Sequence, residues 1–244
     1  MKDTKKTFSF KSLLFTISFL ILFLSVKGQE KKTIVFDDFH GQNPKNGKVF
    51  NSLLPDSLSV IEIDSLEIND RVLEGKFGLI IFSPTKAFQD SEKQAIIAFI
   101  KSGGSLLLIF DEERRTPLNG INDIISPFGI ELTDDTPYLH NCGAIAEKNE
   151  VCAERRELPY SGGRSIKGGN IISKVYMEGD YVHCAYVRTN RNGKIIVMSD
   201  GMAGLLYFMG TDGIRLTGTK PSDTKYWGKD SKIFMEEILI FLTK

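Results

Sequence analysis

The residues that could do chemistry sit where apolar runs end. Thr33-Ile34-Val35-Phe36 leads into Asp37-Asp38-Phe39-His40-Gly41-Gln42. Leu106 to Phe110 leads into Asp111-Glu112-Glu113, and Lys194 to Met198 leads through Ser199 into Asp200. A fourth run, Leu79 to Phe82, ends in Ser83-Pro84. If these runs are neighbouring strands of an open α/β sheet, their carboxyl ends form the rim at which ligands bind. Asp37, Asp38, His40, Ser83, Asp111, Glu112 and Asp200 would then line one polar pocket, suited to a cation or a hydroxyl-rich ligand, with His40 near Asp111 or Asp200. Carboxylates and an imidazole in such a pocket could exchange protons with a substrate. A histidine of this kind buries little, and its replacement by Ala should leave the fold nearly intact. The same acids could instead cap the helices and loops that follow the strands, where carboxylates are expected in any case.

Other chemistries have less to stand on. No G-x-S-x-G or G-x-C-x-G elbow occurs, and Ser83 and Ser199 lack flanking glycines. The three histidines, His40, His140 and His183, are far apart, and no H-x-x-x-H or C-x-x-C spacing points to zinc. Gly103-Gly104 is not followed by Lys-Ser/Thr, so it reads as a helix stop and not as a phosphate loop. No cofactor and no metal is expected.

The elements that must position these residues are legible around Phe77 to Glu113. Leu79 to Phe82 and Leu106 to Phe110 are continuously apolar, as strands covered on both faces are. Between them Ala95, Ile96, Phe99 and Ile100 form a helical stripe, with Asp90 or Ser91 as the expected cap and Gly103 as the left-handed stop. That is one right-handed βαβ unit. Around it the sequence predicts a first strand at residues 33–36, a helix near Val49 to Leu54, and an edge strand over Ser57 to Ile63. A helix follows from Leu118 to Phe128, stopped by Gly129. Tyr181–Arg188 and Lys194–Met198 read as a hairpin about Asn190-Arg191-Asn192-Gly193. The last helix spans Asp230 to Leu242, with Ile233, Phe234, Ile238, Phe241 and Leu242 inward. Residues 130–175 are irregular, which in a compact domain marks a functional loop or short strands.

Residues 1–28 have the layout of a secretory signal: Lys2, Lys5, Lys6 and Lys11, an apolar run from Leu13 to Val26, and Gly28 before Gln29. The run is short of the ~20 residues that span a bilayer. The expectation is a single domain over residues 29–244 in the periplasm or cell envelope, with no span in the mature chain. Residues 1–28 hold five of the 31 basic and one of the 31 acidic residues, leaving 26 against 30 and a net charge of about −4. With no basic run, nucleic acid is excluded as a partner. Export makes a Cys142–Cys152 disulfide the simplest reading of the two cysteines in the irregular stretch, with Cys184 a buried thiol.

Several of these motifs together resemble a known family. FDDFHGQ looks like the opening of bacterial domains of unknown function in the class I glutamine amidotransferase-like superfamily, to which the GIFT domain of intraflagellar transport proteins is similar. FIKSGGSLLLIFDE, LNGINDIISPFGIEL, GKIIVMSDGMAG and WGKDSKIFMEEILIFL match later motifs in order, with Ser231 where the family usually has Asn. The resemblance implies a flavodoxin-like three-layer α/β sandwich with a mostly parallel central sheet, plus the late β-hairpin, that has lost the amidotransferase nucleophile. It also implies a binding or assembly module whose partner is a small molecule such as a carbohydrate, or an envelope protein. The rival is a hydrolase of the trehalose-utilisation type, using Asp37, His40 and Asp111. Asp37, His40, Gly41 and Asp200 match family motifs and stand as candidate site residues only.

Overall fold

A computed structural model describes residues 31–41, 54, 56–112, 116–118, 120–136, 142–176, 181–201, 203, 204 and 229–244. The chain divides into two units, Met1–Lys31 and Lys32–Lys244, and the fold is that of the second. Its strands are β1 (Lys32–Asp37), β2 (Leu58–Ile63), β3 (Gly78–Phe82), β4 (Ser105–Ile109), β5 (Ile130–Leu132), β6 (Cys142–Ala146), β7 (Arg156–Tyr160), β8 (Ile166–Gly168), β9 (Asn170–Val175), β10 (Val182–Arg188) and β11 (Lys194–Met198). Among the described residues its named helices are α1 (Asp70–Leu73), α2 (Asp90–Lys101), α3 (Ile121–Ile125) and α4 (Ser231–Thr243).

Nine strands form one sheet in the order β2-β1-β3-β4-β11-β10-β9-β6-β7. From β2 to β11 every pairing is parallel, and from β11 to β7 every pairing is antiparallel. β11 therefore belongs to both halves. The expected hairpin is present, with Arg188 opposite Lys194, and its second strand completes the parallel sheet beside β4.

All five residues of β3, β4 and β11 are buried, which explains their continuous apolar character. Burying each such Leu, Ile or Val contributes about 1.5–3 kcal/mol relative to exposure. Alternate residues feed two cores. Ile80, Leu107 and Ile196 pack with Phe234, Ile238 and Leu239 of α4. Leu79, Leu106 and Ile195 pack on the other face with Ile96, Phe99 and Ile100 of α2 and with Ile124 of α3. Helices on both faces of the parallel central strands of this mixed sheet make the expected flavodoxin-like sandwich.

Local details differ from the sequence expectation in instructive ways. α2 begins at Asp90 but is not capped by Asp90 or Ser91. Glu92 folds back to accept the Gln89 N–H at 2.8 Å, half of a capping box. The Gly-Gly stop divides its labour: Gly103 has φ +110°, and a Cβ on Gly104 would lie 2.4 Å from the Phe99 ring. The helix expected from Leu118 starts only at Ile121 and tightens into a 3₁₀ turn over Ser126–Phe128 around Pro127, before Gly129 at φ +82°. In α4, Ile233 is 44% exposed while Met235 and Leu239 are buried. The helix expected near Val49 falls almost wholly outside the described residues.

The irregular stretch holds β5 to β9, each three to six residues long, too short for an alternating pattern to stand out. This overturns the Cys142–Cys152 pairing. Cys142 opens β6 opposite Tyr160, whereas Cys152 lies in the connection past the other end, where Ala146 faces Arg156. At ~3.3 Å per residue the two ends of β6 are roughly 13 Å apart, against the ~5.5–6 Å between Cα atoms that a disulfide needs. Cys152 and Cys184 are free, buried thiols. Burial pushes the Cys152 thiol up to about 12, and that of Cys184 well above its ordinary value.

Candidate functional site

The candidate site starts at the end of β1. Asp37 Oδ1 accepts the backbone N–H groups of Phe39 and His40, both at 3.2 Å, a turn that aspartate closes with its own side chain. The turn points the His40 ring inward. Nδ1 lies 3.0 Å from Asp37 Oδ2, and Nε2 lies 3.2 Å from Glu92 Oε2. Glu92 Oε1 accepts the Ile68 N–H at 2.9 Å. Phe88 stacks on the imidazole at 4.2 Å, and Phe39 meets it edge-on at 4.9 Å. Asp37, His40 and Glu92 are each 1% exposed.

This geometry fixes the protonation. Two carboxylates flanking one ring ask both nitrogens to donate, which only the imidazolium can do. Burial lowers the affinity of His40 for its proton, but the hydrogen bond and charge of Asp37, together with Glu92, outweigh it and raise the pKa above 6.5. One cation between two carboxylates, each with further backbone donors, is a satisfied buried network. It presents no open face to a substrate.

The remaining candidates are placed one by one. Asp200, 1% exposed, accepts from Ser161 N, Ser161 Oγ and Gly162 N at 3.0, 3.2 and 3.0 Å. That contact closes the 161–163 loop over the end of β11, and the approach is tight: a Cβ on Gly163 would stand 2.2 Å from the Ser199 carbonyl oxygen. Ser83 ends β3 with φ +41°, its N–H bonded to the Ile109 carbonyl. Asp111 Oδ1 accepts the Glu112 N–H, and the Glu112 carbonyl accepts Thr116 N–H. Asp38 shares a hydrogen bond with Glu62 at the sheet edge, where burial and the nearby Asp38 and Asp64 raise the Glu62 carboxyl. The hydrogen bonds thus group His40 with Asp37 and Glu92, and Asp200 with Ser161 and Gly162. Among the described residues no group of three His, Cys, Asp or Glu is disposed to hold a metal ion.

Sequence reasoning missed Glu92, Ser161 and Gly162. Glu92 carried a signal, an acid at the third position of a helix, where it reaches back to the chain before the helix. His183 Nδ1 lies 2.7 Å from Ser173 Oγ. The ring is fully buried, which lowers its pKa to about 4, so it is neutral and structural.

The strand order 2-1-3-4, extended by β11, and helices on both faces are matched in solved structures. The N-terminal domain of mmIFT52 aligns with a TM-score of 0.64 at 17% identity, over 87% of this chain and 98% of that one. The chain shares the fold of that domain. A ThuA-like protein from Bacteroides uniformis ATCC 8492 aligns with a TM-score of 0.50 at 12% identity, over 89% of this chain and 91% of that one. The exo-β-1,4-mannosidase Op5Man5 from Opitutaceae bacterium strain TAV5 aligns with a TM-score of 0.53 at 12% identity, over 96% of this chain but 39% of the mannosidase. No protein-family model and no curated protein sequence matches the chain. β4 is followed by Phe110, Asp111 and Glu112, with Phe110 fully buried.

Proposed function

We propose that this chain is an exported, non-catalytic binding or assembly module of the cell envelope, delivered there by residues 1–28 as a cleaved signal. One observation carries the reading: Asp37, His40 and Asp200, the rim groups best suited to proton transfer, are 1% exposed and are engaged by intrachain hydrogen bonds. A catalytic acid or base must reach the proton it moves, and these groups face their own chain. No described helix is long and apolar enough to cross a membrane. A carbohydrate is the first ligand class to test, because the same fold occurs within a mannosidase.

The test pairs binding with turnover. Residues 29–244 are screened against neutral mono- and disaccharides, trehalose and mannobiose included, by thermal shift, since a ligand of the native state raises its melting point. The same sugars are assayed for hydrolysis. Binding without hydrolysis is the expected result. Hydrolysis that disappears in both His40→Asn and Asp200→Asn would overturn it in favour of the trehalose-utilisation type of hydrolase.

A further inference from the structure

The crevice between the carboxyl ends of β1 and β3, where the strand order reverses, is the ligand entrance of open α/β sheets. Here the chain seals it. Gly41 bridges to Pro84, and the His40 carbonyl accepts the N–H groups of Thr85 and Lys86 at 2.7 and 3.3 Å. The fit is close, with a Cβ on Gly41 reaching 3.0 Å from the Phe82 carbonyl oxygen. The residue whose carbonyl makes the seal is the one whose side chain is clamped between Asp37 and Glu92.

We propose that His40 is a proton-operated latch: its imidazolium, bonded to Asp37 and Glu92, holds the 84–86 loop down over the β1–β3 crevice, and loss of its proton releases that loop. This goes beyond the proposed function and does not depend on it. Charge counting gives the direction. Protonated, the trio of Asp37, His40 and Glu92 carries one net negative charge. Deprotonated, it carries two in a site from which water is excluded, and one ring nitrogen turns its lone pair toward a carboxylate. Isolated charges in such a medium are strongly disfavoured. The surroundings offer little relief. β1 contributes Asp37, α2 contributes Glu92 and the Gln89 amide, and the turn before α1 contributes the Ile68 amide. Phe88 and Phe39 cover the ring, and the nearby cation, Lys86 Nζ, sits 4.2 Å over Phe39. Glu92 is anchored by the Ile68 and Gln89 amides and Asp37 by those of Phe39 and His40 itself, so the ring is the member that can swing out. Once it does, the His40 carbonyl loses its tie through the ring to α2, and its hold on the 84–86 loop slackens.

Amide exchange read residue by residue tests the latch, alongside an NMR titration of the His40 ring. With opening linked to release of one proton, the opening constant rises up to about tenfold per pH unit between the pKa of the released ring and the higher pKa of the latched one, and levels off above it. Exchange itself is base-catalysed, so plots of log rate against pH for the Thr85 and Lys86 amides should steepen from a slope of one toward two in that window and return toward one above the latched His40 pKa. The Ser105 amide, bonded to the Phe77 carbonyl at the opposite, amino end of the strands, should keep a slope of one. Glu92→Gln, which removes a charge but keeps an amide oxygen as acceptor, should lower the pH at which the slope returns to one. Three results overturn the proposal: a constant slope at Thr85 and Lys86 while His40 titrates, a return to a slope of one that Glu92→Gln leaves at the same pH, or a histidine that stays protonated until the whole chain unfolds.

Discussion

Glu92 Oε2 lies 3.2 Å from His40 Nε2, 52 residues away in sequence, at the N-terminal turn of α2. This contact ties the end of β1 to the helix that follows β3. It also gives stability a pH dependence with a definite sign. The folded chain binds the His40 proton more tightly than the unfolded chain, because the pKa is raised above 6.5. The resulting stability is fully present below the unfolded value and fades as pH rises through the folded one. Glu92→Gln should therefore cost about 1–3 kcal/mol near pH 6 and less near pH 9, as read by urea unfolding at the two pH values. An equal cost at both would show that the imidazolium is not stabilised by Glu92. His40→Ala should cost more, about 3–5 kcal/mol, because it leaves two buried carboxylates without their cation.

The thiols offer a direct chemical check. Cys152 and Cys184 are free and buried, and burial holds both mainly as unreactive thiols. With those two unpaired, the third cysteine of the sequence, Cys142, is expected to count as a thiol too. A thiol reagent applied to unfolded, unreduced protein should count three. A count of one would restore an intramolecular disulfide.

Gly163→Ala should be costly because of a close approach, not a backbone angle. Its Cβ would lie 2.2 Å from the Ser199 oxygen, so the 161–163 loop must lift from the end of β11. A loss of about 2 kcal/mol or more is expected, in line with overpacking elsewhere. Thermal unfolding of the variant would measure it, and an unchanged midpoint would show that the loop moves freely.

Asp200→Ala should resemble that variant in effect but not in origin. It strips the acceptor from two backbone N–H groups and a hydroxyl, at about 1–3 kcal/mol for each donor left buried and unpaired. Asp200→Asn keeps an acceptor and should cost clearly less. The ranking is the test; equal losses would mean that the charge, not the acceptor, holds the loop.

Two isoleucines on α4 separate buried from exposed. Ile238 is fully buried and Ile233 is 44% exposed. Ile238→Ala should cost about 2–5 kcal/mol, while Ile233→Ala should stay within about 0.5 kcal/mol. Denaturant unfolding of the pair decides whether α4 sits in the register described.

These residues also show what a sequence reveals. The βαβ unit from Gly78 to Ile109 was legible because strands covered on both faces are apolar throughout, and a helix between them must show a stripe. The hairpin about Asn190–Gly193 was legible from its turn. Ile233 was misplaced because one position on a helix shifts the facing direction by about 100°, at 3.6 residues per turn. β5 to β9 were illegible because three- to six-residue strands leave no period to count. At the site, the types of Asp37 and His40 were visible but their partners were not. A rim histidine and an inward one have the same sequence neighbours. What distinguishes them is Glu92, which the chain brings back only after β2, α1 and β3.

β11 pairs with β4 on one side and β10 on the other, and the Lys194 amide bonds to Ser105 Oγ across 89 residues. That has a consequence during synthesis. When β4 leaves the ribosome, its outer edge has no partner, and it stays open until β11 has been made. The Ser105 hydroxyl in turn bonds to Leu242, 137 residues away, so the layer under β4 closes later still. An unpaired apolar strand edge is a template for the wrong neighbour. The nascent chain carries that hazard through the making of the whole antiparallel half, and a chaperone that shields residues 105–109 over that interval would spare it more misassembly than one acting after release.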